Sequence, residues 1–284
     1  MRGGFWNVAL IATAIWGMEL ASAQAQKNLP GNESEPAEEN PEEKKKDKPL
    51  GWLRVLAVGD APPFRQEVRD GVRVELPAAP GALPPLKIEV PIEGRKTEVR
   101  RLQLGVASQR MVARAGFVTL RGVQEGGGTK PWMRIQMPEH PAALAVFIRD
   151  PRKGTWDEPR SIVLKDDLVT HPNGAVRLVN ASIFRVRMML GGKQFDLEPG
   201  KSRVIRGPQG GVLENEPFRV MIGDRQGNWR PIYDVALTQI GGERTNIVVY
   251  RADGERPRRP AKVLVLKERA FIPKLPVKKK KDEG

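Results

Sequence analysis

Apolar and polar side chains alternate with a period of two along most of residues 51–273, and Gly, Pro, Asp or Asn closes nearly every run. This period is typical of β-strands with one buried and one solvated face. In the stretch 64–76, Phe64, Val68 and Val72 share one parity while arginines and glutamates take the other, which predicts one buried face. Further runs occur at 52–58, 86–92, 99–104, 111–120, 132–137, 144–148, 161–164, 176–180, 184–190, 202–205, 218–222, 229–237, 246–250 and 262–266.

No amphipathic helix of three turns is evident in the same region. Short strands separated by turns every 8 to 12 residues or so are typical of antiparallel sandwiches. The pattern therefore predicts an all-β fold built from two immunoglobulin-like antiparallel β-sandwich units, with disordered charged tails at both ends.

An internal echo supports two units. Residues 146–164 and 220–237 both run from a Val-x-Ile-x-Asp strand through a glycine turn to a tryptophan, Trp156 in the first copy and Trp229 in the second. Each copy reads as a hairpin whose tryptophan caps a sandwich core, which predicts equivalent positions for the two rings. The polar stretch 167–173 marks the boundary, so unit 1 is expected at 51–166 and unit 2 at 167–273.

The first residues have the build of a secretory signal: Arg2, an apolar run from Val8 to Met18, and small residues before a cut after Ala23, with Ala25 as the alternative. The run is shorter than a membrane span. This predicts a signal peptide at 1–23, no transmembrane segment after cleavage, and a periplasmic or secreted protein. The absence of cysteine excludes disulfides, cysteine metal sites and a lipid-modified cysteine.

Both ends of the expected mature chain are charged and poor in apolar side chains. Residues 24–50 are rich in glutamate and lysine, and residues 274–284 contain a run of four lysines. Such segments bury too little surface to offset their ordering entropy, so we expect a disordered tether and a disordered tail. Almost all of the formal net charge of +14 falls between them, on residues 51–273.

Three stretches carry a resemblance: "LRVLAVGDAPPFRQEVRDGVRVELP", "VRLVNASIFRVRMML" with "FDLEPGKSRVI", and "ERTNIVVYRADGERPRRPAKVLVL". They resemble an uncharacterised family of predicted exported bacterial β-sandwich proteins. "VRLVNAS" is also similar to the opening strand of small exported β-sandwich domains and of accessory proteins of exopolysaccharide modification. The resemblance implies an envelope or secreted setting and no particular activity.

No motif identifies a catalytic, cofactor-binding or metal site. "GKS" at 200–202 lacks the first glycine of a phosphate loop, since Phe195 stands there, and reads as a Pro-Gly turn between strands. His140 and His171 each precede a proline, so solvated loop residues are the simpler interpretation. The alternative combines His171 with Asp166 and Asp167 as a metal site or hydrolytic dyad.

The arginine excess is the remaining functional signal. Arg185 and Arg187 share one parity of a strand whose other parity is apolar, so both guanidiniums should project from one sheet face as an anion-binding surface. Guanidiniums suit carboxylates, sulfates and phosphates, so an acidic polysaccharide, a lipid headgroup or an acidic protein is a rational partner. A basic composition without any partner explains the same pattern.

The sequence thus predicts an exported, non-catalytic binding or structural module. Nucleic acid is disfavoured as a partner because the chain has no zinc finger, basic helix or aromatic RNA-binding sheet and carries an export signal. The alternative function is a carbohydrate-active or other hydrolytic β-sandwich enzyme, which would require the histidines and acids to meet in one cleft. The oligomeric state is left open.

Overall fold

The computed structural model describes residues 49–92, 97–150, 152–206, 213–224, 226–254 and 257–269. The predicted signal peptide, nearly all of the predicted tether and the C-terminal tail lie outside these ranges. Every regular element within them is a β-strand, eighteen in all. The all-β prediction is therefore confirmed, with several antiparallel sheets consistent with β-sandwich units. The first strand begins at Leu50, one residue before the predicted start of the folded body.

The first part of the chain forms two four-stranded sheets. Sheet 1 has the order β10-β9-β1-β6 and sheet 2 has the order β5-β4-β7-β8. Their strands are β1 Leu50–Val58, β4 Lys87–Pro91, β5 Thr97–Arg101, β6 Met111–Arg114, β7 Gly116–Val123, β8 Thr129–Met137, β9 Ala142–Ile148 and β10 Arg160–Lys165. A separate hairpin, β2 Arg65–Arg69 with β3 Val72–Leu76, lies between β1 and β4 in the chain.

The second part repeats this arrangement without the extra hairpin. Sheet 3 has the order β14-β11-β17-β18 and sheet 4 has the order β13-β12-β15-β16. Their strands are β11 Val176–Asn180, β12 Arg185–Leu190, β13 Lys193–Leu197, β14 Ser202–Ile205, β15 Leu213–Gly223, β16 Trp229–Ile240, β17 Glu243–Arg251 and β18 Ala261–Arg269. Strands β1 and β11 thus hold corresponding places, as do β10 and β18.

Two strand pairs depart from the antiparallel prediction. β1 pairs with β9 in parallel, with Trp52 opposite Ala142, and β11 pairs with β17 in parallel, with Val176 opposite Thr245. Both pairs lie in the two inner sheets, where every strand face can be covered. This explains why β9 is an apolar run rather than an alternating one.

Three apolar clusters join the four sheets into a stack. One cluster, which includes Leu53 and Phe147, fills the space between sheets 1 and 2, and a second, which includes Leu178 and Phe218, lies between sheets 3 and 4. A third cluster joins sheets 1 and 3, with Leu56 from the first and Val179 from the second. The described residues form one compact unit. The division into separate units at 166/167 stays a prediction.

The expected buried face of residues 64–76 is wrong. Asp70 and Gly71 have φ angles of 51° and 78°, which is the left-handed backbone of a two-residue hairpin turn. In this hairpin Val68 lies opposite Arg73 and Glu67 lies opposite Val74, so the turn exchanges parity between the two strands. Each face is therefore mixed, and Val68 is 66% exposed.

The expected equivalence of Trp156 and Trp229 is also wrong. Trp156 is 2% exposed in the core of the first sandwich, whereas Trp229 lies half-buried on the outer face of sheet 4. The echo reflects turn chemistry instead, because the Asp150 and Asp224 carboxylates each accept a backbone N–H two residues later, over 2.9 Å. An aspartate that closes a hairpin turn recurs wherever such a turn is needed.

Candidate functional site

A buried ionic centre lies between sheets 1 and 3. Arg54 of β1 donates from Nε, and Arg177 of β11 donates from Nη1, to the two carboxylate oxygens of Asp166, over 3.1 and 3.3 Å. Arg54 is also paired with Glu268 of β18. Arg244 of β17 donates to Glu268 over 3.0 Å. Two carboxylates thus bridge three arginines that come from both sandwiches.

These arginines keep both carboxylates ionised. Burial works to raise the pKa of Asp166, but the His171 contact and the neighbouring guanidiniums outweigh it and hold that pKa well below its usual value. Burial also works to raise the pKa of Glu268, but Arg54 and Arg244 outweigh it, so this pKa is lowered as well. Burial lowers the pKa of Arg177 to about 10, which leaves it protonated at neutral pH. The centre is therefore ionic at neutral pH.

His171 is fully buried beside this centre, so the expectation of a solvated loop residue is wrong for it. Its Nε2 atom lies 3.3 Å from the carbonyl oxygen of Ala175, and its Nδ1 atom lies 3.9 Å from Asp166 Oδ1. Burial lowers the pKa of His171, which favours the neutral ring at pH 7. A ring and a carboxylate so enclosed have no access to a substrate.

His140 has a different carboxylate as its neighbour. Its Nδ1 atom lies 3.0 Å from Asp167 Oδ2. Asp167 also accepts the backbone N–H groups of Val169 and Thr170, each over 2.9 Å, and so closes a turn. Among the residues that the structure describes, no group of three or more His, Asp or Glu side chains is arranged to hold a metal. Because His171 is fully buried, it does not line an open cleft together with His140.

A second polar contact joins the sandwiches near the end of β1. The Asp60 carboxylate accepts the Tyr250 hydroxyl over 3.3 Å and the backbone N–H of Asp253 over 3.0 Å, and pairs with Lys262 over 2.9 Å. Burial and the charge of Asp60 raise the pKa of Tyr250 to about 12. These groups fix the first sandwich to the β17–β18 hairpin and are structural.

Arg185 and Arg187, the predicted anion-binding residues, lie on the outer face of sheet 4. Arg185 pairs with Glu198 over 2.8 Å and Arg187 pairs with Asp196 over 2.7 Å. Both guanidiniums also lie over the Trp229 ring, 5.8 and 4.1 Å from its centroid. The sequence thus predicted their shared face correctly, but an external anion would have to displace two carboxylates of the protein.

The outer face of sheet 2 carries cations of a different kind. Lys87, Arg101, Arg121 and Arg134, which we call the basic face, are all exposed on its four strands. No ion pair involves any of the four within the described ranges. Four neighbouring cations without acidic partners form the strongest candidate anion site on the described surface.

The cross-strand register places like charges opposite each other on the basic face. Lys87 lies directly opposite Arg101, and a like-charge pair in this position destabilises a sheet. Glu89, the acid nearest in register, lies opposite Arg121 on the next strand. Its Oε2 atom is nevertheless buried without a hydrogen bond and forms no ion pair with a described residue. The repulsion between Lys87 and Arg101 is therefore screened by solvent or by a bound anion.

Apolar side chains accompany these charges. Phe117 is 66% exposed, and the Arg134 guanidinium lies 4.2 Å from its ring centroid. Val99 is 45% exposed between the charged positions of β5. An arginine held on an aromatic ring keeps its N–H groups in one plane for an incoming anion. The face therefore offers both charge and contact area.

A groove of about 670 Å³ opens beside the basic face, between the loop before β4 and the β7–β8 hairpin. The buried Trp156 lies in its floor, and Trp132 donates from Nε1 to the Trp156 carbonyl oxygen over 2.6 Å. Glu125, Lys130 and Asp157 contribute its charged side chains. The other large side chains that line it are Pro80, Leu83, Pro85, Leu86 and Pro131.

No protein-family model matches the chain, and no curated protein shows significant sequence similarity to it. The resemblance to exported β-sandwich proteins therefore stays a prediction. In the described part of the chain, no helix has the length and hydropathy needed to cross a membrane.

Proposed function

We propose that the protein is an exported, non-catalytic module that binds an anionic polymer, with acidic polysaccharide as the favoured class. The observation that carries this proposal is the set of four exposed cations on sheet 2 that have no acidic partner among the described residues. The predicted signal peptide supports an envelope or secreted setting.

The geometry of the face favours an extended ligand. Its four strands lie about 4.8 Å apart, so the cations are spread over roughly 15 Å of an open sheet surface. A chain that carries a carboxylate or sulfate on successive units can contact several of these cations at once. Exposed Phe117 and Val99 supply apolar contact for sugar rings between the charges.

Binding to a polyuronate such as alginate, measured by calorimetry across a salt series, tests the proposal. Screening lengths fall from about 10 Å at 0.1 M salt to about 3 Å at 1 M, so the affinity should fall steeply. The variant R101Q/R121Q should lose about tenfold in affinity, equivalent to about 1.4 kcal/mol. Anionic lipid vesicles form a separate arm, which distinguishes a headgroup from a polysaccharide.

The matched control is R185Q/R187Q, which removes the same two charges from sheet 4. We expect this pair to lose less than about threefold, since both residues are already paired. Equal losses in the two variants would mean that net charge alone drives binding. A larger loss in the control would place the anion site at Arg185 and Arg187 instead.

The alternative function, a carbohydrate-active or other hydrolytic enzyme, has one observation in its favour. The groove beside the basic face contains two carboxylates, Glu125 and Asp157, and glycosidases act through a pair of carboxylates. Release of reducing ends from the polymer by the wild-type chain, abolished in E125Q/D157N, would support the enzyme. Binding without turnover supports the module.

A further inference from the structure

The β2–β3 hairpin is a two-stranded sheet of its own within the described residues. It is an addition to the first sandwich, since the second sandwich connects β11 directly to β12. Phe64 at its base is 69% exposed, and Val72 beside its turn is 63% exposed. An isolated two-stranded sheet is marginally stable in water, and an open strand edge is a template for pairing with another strand.

The turn determines which backbone groups face outward. In a hairpin with a two-residue turn, the residues that flank the turn exchange hydrogen bonds, and bonded and non-bonded pairs then alternate. Here Arg69 and Val72 flank the turn, so Val72, Val74 and Leu76 direct their N–H and C=O groups towards β2. The N–H and C=O groups of Arg73 and Glu75 consequently point away from the hairpin.

We propose that β3 pairs in antiparallel fashion with β3 of a second copy of this chain, about a two-fold axis at Val74. In this register Arg73 lies opposite Glu75 of the second copy, and their outward backbone groups bond each other. Val74 lies opposite Val74, and Val72 lies opposite Leu76. A four-stranded sheet then replaces two isolated hairpins.

The side chains of β3 are self-complementary in this register. Arg73 and Glu75 lie on one face and meet their opposite charges twice across the axis. Val72, Val74 and Leu76 lie on the other face and form one apolar stripe with their copies. Opposite charges and apolar partners in direct cross-strand pairs stabilise a sheet, whereas any shift by one residue would place each apolar side chain against a charge.

The ion pairs of the hairpin favour the β3 edge over the β2 edge. On β2, Glu67 is already paired with Arg69 of the same strand. On β3, neither Arg73 nor Glu75 has an ion-pair partner in the part of the chain that the structure describes. The charges of β3 are thus available for a second copy without the loss of an existing pair.

A single cysteine tests the axis directly, because the chain contains none of its own. Residues that face each other in a non-bonded antiparallel pair have Cα atoms about 4.5 Å apart, within the range of a disulfide. V74C should therefore give a covalent dimer when the full chain is oxidised at low micromolar concentration. V72C is the control, since its copies lie four residues apart along the paired strands, beyond disulfide reach.

Charge reversal tests the register without a covalent bond. E75R places two arginines opposite each other and should convert the dimer into a monomer in light scattering, whereas R73E/E75R restores opposite charges and should restore the dimer. Monomeric wild-type protein at 100 micromolar, together with no cross-link in V74C, would overturn the proposal. It would also be overturned if E67R, and not E75R, abolished the dimer, because β2 would then be the paired edge.

Discussion

Arg54 and Arg177 occupy corresponding positions on the first strands of the two sandwiches, and both reach the same carboxylate, Asp166. Each lies on the strand face that turns away from its own sandwich core and towards the other sandwich. Asp166 itself follows the last strand of the first sandwich. Arginines of both sandwiches therefore share one carboxylate at the interface.

The first prediction concerns this shared carboxylate. D166N keeps the shape of the side chain but leaves the buried Arg177 without its carboxylate partner, while Arg54 and Arg244 keep Glu268. Breaking a buried pair in this way costs about 3 to 5 kcal/mol. The free energy of unfolding from urea titrations at pH 7 measures the loss. D234N serves as the control, because its pair with Arg219 is about half exposed and should contribute less than about 1 kcal/mol. Similar losses in both variants would contradict the importance of the ionic centre.

The second prediction is a pH dependence with two windows. The pKa of His171 is lowered in the folded chain, so the unfolded chain binds a proton first, and stability falls as the pH drops from about 6.5. The pKa of Asp166 is lowered as well, so its contribution is present above pH about 4 and is lost as the pH falls further.

Urea titrations between about pH 8 and 2 separate the two groups. H171Q should flatten the window below about pH 6.5 and only narrow the acid window, because guanidiniums also lower the pKa of Asp166. D166N should reduce the acid window, to which Glu268 also contributes. Stability in the wild-type chain that rises as the pH drops from 7 to 5 would show that the sign for His171 is wrong.

The third prediction compares two tryptophans. W156A removes a ring that is 2% exposed in the first core and should cost about 3 to 5 kcal/mol. W229A removes a ring that lies across Gly223 on an outer face and contacts Arg187, so about 1 kcal/mol is expected. Urea titrations of both variants measure the difference. Equal costs would indicate that Trp229 supports a core after all.

Local pattern was enough to predict the strands and several turns. The Pro-Gly turn at 199–200 lies between β13 and β14 as expected, with Gly200 at a φ of 76°. The alternation of residues 64–76 hides the hairpin at Asp70 and Gly71, because Phe64, Val68 and Val72 keep one parity across the turn, although Asp-Gly is a strong turn signal. A turn placed at Asp70 and Gly71 predicts two short strands, each face of which carries both apolar and charged side chains.

The candidate sites depend on partners that are distant in sequence, and no local pattern contains them. Arg54 stands in an apolar run, which does signal a buried charge, but its partners Asp166 and Glu268 lie 112 and 214 residues further on. Arg185 and Arg121 look alike in sequence, since each is an arginine on an exposed strand position. Only the side-chain distances show that Arg185 forms an ion pair, with Glu198, whereas Arg121 forms none with a described residue although Glu89 lies opposite it.

The last prediction concerns the independence of the two sandwiches. Separate production of residues 49–168 would expose the apolar side chains that sheet 1 buries against sheet 3, among them Leu56 and Val146. It would also leave Arg54 without Glu268. We therefore expect the fragment to aggregate or to unfold without a cooperative transition, and to be recovered when residues 169–273 are produced in the same cell. Calorimetry of the full chain should show one transition that D166N shifts as a whole. A cooperative transition in the isolated fragment would instead establish the first sandwich as an autonomous domain. The ionic centre would then be a contact between two independently folded domains.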